Sequence, residues 1–166
     1  MKKPPRSEEK KAMKSKVHIR WGIRRDFPEI LEIERQSFDF PWVEEDFYRA
    51  LRQRNCIGMV AEHDEHDDHV VGFMIYESQK TRLHILNFAV GTEYRRQGVG
   101  RRMVDKLKAK LTTRKGRRSR LTLEIRDGNL PGQLFFREMG FRASNVLRDY
   151  YKDTDEDAYV MSYACR

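Results

Sequence analysis

The residues best suited to chemistry are a glycine-bearing turn and a lone carboxylate on a strand. In Arg95-Arg96-Gln97-Gly98-Val99-Gly100-Arg101 two glycines stand at the start of a helical pattern. Lacking Cβ atoms, they let the backbone turn sharply and bring several N–H groups close to a ligand at the positive end of the helix, a geometry that suits a phosphate. The spacing is not the GxGxxG of a dinucleotide fold, and the Lys followed by Ser or Thr of a P-loop is missing. The carboxylate is Glu124, in Leu121-Thr122-Leu123-Glu124-Ile125. Leucines and isoleucine share one face of that strand, so Thr122 and Glu124 look out of the other. In a central strand that face is not expected to be open water, and burial is expected to raise the pKa of Glu124 towards the range of a general base.

Both features need elements to hold them. Apolar residues predict a strand over Leu83–Val90 leading into the turn, and Val99, Met103, Val104, Leu107 and Leu111 share one face of the helix after it. Upstream, Val17–Ile23 alternates as a first strand, and Asp26 is expected to cap a helix with Pro28 in its first turn. Phe40-Pro41-Trp42 breaks that helix from a second, Val43–Leu51. Ile57–Glu62 and His69–Glu77 read as strands joined by the polar tract HDEHDD. Downstream of the strand that bears Glu124, Asn129 caps a helix to Met139, and Phe141–Leu147 and Ala158–Cys165 close the chain as strands.

Composition bounds the rest. At 166 residues the chain is the size of one domain, and its formal net charge of +8 suits an acidic partner as well as plain solubility. Two distant cysteines, Cys56 and Cys165, make neither a disulfide scaffold nor a zinc cluster, so a reduced, cytoplasmic protein is expected. Residues 1–15 are charged and proline-bearing, and read as a disordered basic tail ahead of a single domain over 16–166, with no signal peptide or membrane span. His63, His66 and His69 invite a metal reading, but a fully polar loop supplies nothing to orient ligands, so no metal is expected. The run Lys106, Lys108, Lys110, Arg114, Lys115, Arg117, Arg118 and Arg120 reads first as a solvated face and second as a ribosome- or RNA-facing patch, without aromatic residues between the cations to stack bases.

The turn resembles the Arg/Gln-x-x-Gly-x-Gly/Ala signature of the GNAT acyltransferases. Within that group the chain is similar to the RimI-type ribosomal-protein N-terminal alanine acetyltransferases in Phe40-Pro41-Trp42, Asn87–Val90, Leu123–Arg126, Asn129, Met139-Gly140-Phe141 and Arg148-Asp149-Tyr150-Tyr151. The resemblance implies a mixed α/β fold with a central twisted sheet of about seven strands and four helices, splayed between its fourth and fifth strands. It also implies transfer of the acetyl group of acetyl-CoA to the α-amine of a protein N-terminus, by direct attack, in a monomer or weak dimer.

By the same resemblance the turn Arg95–Arg101 holds the pyrophosphate of acetyl-CoA, and backbone groups of Phe88, Ala89 and Val90 pair with its pantetheine arm. Glu124 is the base. Asn129 hydrogen-bonds the cofactor, although a helix cap explains it equally well. Phe40, Pro41 and Trp42 wall the acceptor groove or staple two helices together. One departure stands out, because the family's acid tyrosine corresponds to Phe136, on the cofactor side of the site, and phenylalanine has no proton to give. Tyr150 or Tyr151 substitutes, or water protonates the thiolate, or the enzyme is impaired; binding of the peptide backbone suits the two tyrosines better. The rivals are acetylation of a lysine or a small amine, and a catalytically silent cofactor-binding module.

Overall fold

The computed structural model describes residues 16–64 and 69–166; the tail expected over 1–15 and His66 of the polar loop lie outside the described residues. The elements run β1 (Val17–Trp21), α1 (Phe27–Ser37), α2 (Glu44–Leu51), β2 (Cys56–His63), β3 (His69–Ser78), β4 (Arg82–Val90), α3 (Val99–Lys108), β5 (Arg120–Arg126), α4 (Leu130–Glu138), β6 (Arg142–Tyr151) and β7 (Glu156–Ala164). This is the expected order. Among the described residues the strands form a seven-stranded mixed sheet in the order β1-β2-β3-β4-β5-β7-β6. The parallel pairing of β4 and β5 joins Arg82–Ile85 to Arg120–Leu123 and stops, while β4 runs on to Val90, so the sheet opens between its fourth and fifth strands as expected.

The chain divides into two compact units. The first comprises the described residues up to Ile75 together with Asn87–Met103. Its core gathers around Phe47, which is fully buried and meets the rings of Trp42, Phe73 and Phe27 at 5.2, 5.6 and 6.1 Å, all edge-on. β1 and β2 pair antiparallel from Val17↔His63 to Trp21↔Met59. β1 ends two residues early, because the Ile23 N–H donates to the Asp26 carboxylate (2.8 Å) and opens a 3₁₀ turn over Arg24–Asp26. Asp26 therefore caps that turn rather than α1, and the Arg20 guanidinium grips its two oxygens at 2.8 Å each.

The second unit comprises Tyr76–Leu86 and Val104–Arg166. Here β5 pairs antiparallel with β7 from Arg120↔Ala164 to Arg126↔Ala158, burying Leu121, Leu123 and Ile125 as the alternation requires. The Asn129 carboxamide accepts the Gly132 N–H at 3.0 Å, so Asn129 does cap α4. Past the other end of α4, Gly140 takes φ +88°, and the Phe141 N–H returns to the Phe136 carbonyl at 2.9 Å. α3 stops at Lys108 rather than Leu111, since three-residue hydrogen bonds from Lys110 to Leu107 and from Leu111 to Lys108 tighten the chain into a turn. β6 is longer than its apolar pattern, running through Tyr150-Tyr151. Register irregularities between Ala143 and Asn145 and between Leu147 and Tyr151, with Asp149 at φ +50°, interrupt the alternation that would have revealed it.

Because three aromatic rings converge on Phe47, its truncation has no neighbour able to refill the space. Phe47→Ala is expected to cost about 3–5 kcal/mol in urea unfolding. A loss below about 1 kcal/mol would mean that this cluster does not organise the first unit.

Candidate active site

In the first unit the glycine turn departs from ordinary backbone at two points, Arg96 at φ +61° and Gly98 at φ +84°. A non-glycine residue held there is a strained conformation of the kind kept at ligand-binding turns. The helical ladder of α3 opens with the Arg102 N–H on the Gly98 carbonyl (3.1 Å), and the first N–H groups of a helix have no acceptor within it. Val99, Gly100 and Arg101 supply those donors, with the helix dipole behind them. This cradle fits a pyrophosphate in both donors and charge.

Two side chains of the turn have structural duties. The Arg95 guanidinium donates to the Val90 carbonyl (2.8 Å) and to the Ser37 hydroxyl (2.9 Å), tying the turn to the end of β4 and to α1. Gln97 donates to the Glu93 carbonyl at 2.9 Å, and its own carbonyl oxygen is buried without a partner. Arg96 and Arg101 remain exposed. Phe88, Ala89 and Val90 lie on β4 beyond its last residue paired with β5.

The same unit holds a carboxylate that sequence patterning passes over. Glu34 is 1% exposed; its oxygens accept the backbone N–H of Trp42 at 2.8 Å and the carboxamide N–H of Asn87 at 2.9 Å. Burial pushes its pKa up, and those two hydrogen bonds only partly offset the effect. Glu34 thus fastens the Phe40-Pro41-Trp42 segment to β4. The Trp42 ring packs on Phe47, while Phe40 is half exposed, so stapling and an outward-facing wall are divided between the two rings. A signal was present: Glu34 lies one turn after Ile30, on the buried face of α1.

In the second unit Glu124 is half-buried, and its carboxylate meets His84 Nε2 at 2.7 Å. His84 is buried, and its other nitrogen, Nδ1, lies 2.6 Å from the Thr122 hydroxyl. In the neutral tautomer that donates to Glu124 the Thr122 O–H donates to Nδ1; in the imidazolium Nδ1 donates to Thr122. The parallel register explains the grouping, since His84 stands opposite Thr122, and Glu124 is the next residue on that face of β5. Burial pushes the Glu124 carboxyl up, but the hydrogen bond and charge of His84, helped by Arg82, outweigh it, and the pKa ends below its ordinary value. This reverses the direction expected from burial alone. His84 went unread because register cannot be seen in one sequence, although a histidine inside the apolar run Leu83–Leu86 was a hint.

Tyr150 and Tyr151 stand edge-on at 5.0 Å, Tyr150 about half exposed. The Arg126 guanidinium lies 3.9 Å over the Tyr151 ring and is itself clamped by Asp153 at 2.8 Å. Burial pushes the Tyr151 hydroxyl up to about 12, and burial with the charge of Glu124 raises that of Tyr150. Phe136 is buried in the core of this unit, its ring 5.1 Å from both Phe135 and Phe141. Of the candidate metal histidines, His69 pairs with Glu29 at 3.1 Å and His63 packs against the Tyr94 ring. Among the described residues no helix is long and apolar enough to cross a membrane.

A mixed sheet opened after a short parallel β4–β5 pair, with a glycine-bearing turn leading from the open strand into a helix, is the arrangement of a GNAT-class acetyltransferase. The chain belongs to that family, the acetyltransferase (GNAT) family, whose profile matches residues 27–141. It is 31% identical over 149 residues to the putative ribosomal protein bS18-alanine N-acetyltransferase of Bacillus subtilis, covering 90% of this chain and 96% of that one. The crystal structure of the ribosomal-protein-S18-alanine N-acetyltransferase from Escherichia coli matches with TM-score 0.72 and 25% identity, covering 89% of this chain and 93% of that one. Arabidopsis thaliana NAA60 in complex with acetyl-CoA shares the fold, with TM-score 0.75 at 18% identity, covering 89% of this chain and 99% of that one.

The raised pKa of Glu34 sets a sign for pH dependence. Between its ordinary value near 4.5 and the raised folded value, the native state keeps a proton that the unfolded chain has released. Stability from this group is therefore complete below about pH 4.5 and falls as pH rises through the folded pKa. Glu34→Gln should remove that component, so its melting temperature relative to wild type should climb between pH 4.5 and 7 in parallel thermal scans. Parallel curves for the two proteins would contradict the assignment.

Proposed function

We propose that the protein transfers the acetyl group of acetyl-CoA to the α-amino group of a protein N-terminus, with a ribosomal protein as the acceptor. The observation that carries the reading is the Glu124–His84 pair: a carboxylate held ionised on the partly buried face of β5. The names of the relatives, which act on ribosomal protein bS18, support the acceptor class.

Bound acetyl-CoA supplies a thioester carbonyl open to attack and a thiolate leaving group. On this reading the Val99–Arg101 N–H groups bind its pyrophosphate, Arg96 and Arg101 add positive charge, and the backbone of Phe88–Val90 takes the pantetheine arm. An N–H of that strand end stabilises the carbonyl oxygen as it gains charge. Asn129, already engaged in the cap of α4, offers its remaining N–H donors to the cofactor.

A free α-amine has a pKa near 8 against about 10.4 for lysine, so a larger fraction of it is neutral at pH 7. Glu124 accepts a hydrogen bond from that amine, directly or through one water. Once the nitrogen has bonded to the acetyl carbon it becomes acidic, and the carboxylate takes its proton while His84 and Thr122 keep the oxygen oriented. The amide forms, the C–S bond breaks and the thiol is released. Phe136 bears no hydroxyl and burial makes the Tyr151 phenol a poor donor, so the thiolate, a good leaving group, departs as such and takes its proton from bulk solvent. Tyr150 and Tyr151, with Phe40–Trp42, instead bind the acceptor peptide.

The test is thiol release from acetyl-CoA with peptides bearing free N-termini, N-blocked lysine peptides and polyamines. Turnover confined to free N-termini is expected. Turnover confined to lysine peptides or polyamines would overturn the acceptor, and acetyl-CoA binding without any turnover would favour a silent module. Phe136→Tyr is expected to leave the rate within about threefold, because a buried hydroxyl there replaces a group that water already serves; a gain beyond tenfold would mean that the missing acid limits the reaction.

A further inference from the structure

Within the second unit the positive charge is concentrated in two segments. Residues 78–82 and 106–120 carry ten of the 34 lysines and arginines and none of the 26 acidic residues, so the rest of the chain is close to neutral. Both segments belong to the second unit, where hydrogen bonds stitch them together. The Ser119 N–H donates to the Thr81 carbonyl at 3.0 Å, and the Arg118 guanidinium to the Ser78 hydroxyl at 2.7 Å. The loop between them is built rather than slack. The Thr112 N–H reaches the Arg118 carbonyl (2.9 Å), the Arg117 N–H the Arg114 carbonyl (3.1 Å), and Gly116 turns the chain at φ +76°. Arg114, Lys115, Arg117, Lys80 and Arg82 are all exposed around it.

The register adds a second observation. Arg82 stands directly opposite Arg120 in the parallel β4–β5 pair. Like charges at facing positions destabilise a sheet, and an anion that bridges them removes the repulsion. Of the expected basic helix face, Lys106 is exposed and Lys108 is not. Lys108 of α3 turns inward to the Met139 carbonyl and over the Tyr163 ring at 4.3 Å, and the turn and loop carry most of the exposed charge, beside Lys106 and Lys110.

We infer that the 78–82 turn and the 112–120 loop form a docking surface for the phosphate backbone of folded RNA. Arginines outnumber lysines at the loop, which suits bidentate contact with phosphate oxygens. None of the large apolar side chains exposed on this protein lies in either segment, so the surface has nothing to insert into a lipid bilayer. The cations sit on loops and not on a helix or ribbon shaped for a DNA groove, so contact is to backbone and shape. The choice of RNA over other polyanions rests on the reading of a ribosomal-protein acceptor, which is presented among RNA; the charge cluster itself does not.

The experiment is fluorescence anisotropy of a labelled RNA stem-loop titrated with the full chain between 50 and 200 mM salt. With about five phosphates neutralised, affinity should fall about a hundredfold or more over that range. Arg114→Ala/Lys115→Ala/Arg117→Ala should weaken binding at least tenfold and flatten the log–log salt slope by about two. Removing equal charge at Arg137, Arg142 and Lys152 should leave both nearly unchanged. Equal binding by wild type and the loop variant, a flat salt response, or binding to vesicles containing phosphatidylserine in preference to RNA would overturn the inference. Acetylation of a free peptide by the loop variant is read alongside. RNA binding by the loop variant equal to wild type, with peptide turnover intact, sinks the docking surface alone, and loop-dependent RNA binding by a protein that acetylates nothing supports the surface while sinking the enzymatic reading.

Discussion

The contact on which the proposed chemistry depends is the 2.7 Å approach of His84 to Glu124. Neither residue makes it alone. It exists because β4 and β5 run parallel over four residue pairs, which sets His84 opposite Thr122 and one step from Glu124 on the same face. Parallel pairing requires a long crossover, and α3 with its following loop supplies it. That crossover contains the glycine turn, so one connection both closes the parallel pair and leaves the first N–H groups of α3 without acceptors in the helix. The opening of the sheet beyond Ile85 follows from the same arrangement, and it is what leaves Phe88–Val90 outside the β4–β5 ladder.

A second constraint acts in the first unit, where Glu34 takes the place of an apolar residue on the buried face of α1. Its two hydrogen bonds satisfy the backbone N–H of Trp42 and the buried side-chain amide of Asn87. The arrangement is costly in charge and exact in direction, which suits a segment whose position matters more than its stability. The buried Glu34 and the half-buried Glu124 are tuned oppositely. Glu34 has only neutral donors and its pKa rises, whereas Glu124 has an imidazole and its pKa falls.

Most of the fold could be read from the sequence, because apolar periodicity, Asn129 and Gly140 mark their elements by local rules. The glycine turn was legible for the same reason. What escaped depends on register or on tertiary contact. His84 needs the β4–β5 alignment, the true length of β6 is hidden by its bulges, and Lys108 faces Met139 rather than solvent because of what packs beside it. The pKa of Glu124 was misjudged through the same gap, since burial was visible in the alternation and its partner was not. Asp26 illustrates a local rule overruled, its carboxylate taken by Arg20 and Ile23 before α1 could use it.

The central claim is that Glu124 acts on the acceptor amine and not on the fold or the donor. Its most direct test compares Glu124→Gln with wild type in turnover of a free-N-terminus peptide, with acetyl-CoA affinity measured on the same preparations by calorimetry. The account predicts a fall in kcat of about 10²–10³-fold with the acetyl-CoA dissociation constant within about twofold. Unchanged turnover, or a loss explained by weakened acetyl-CoA binding, would contradict it.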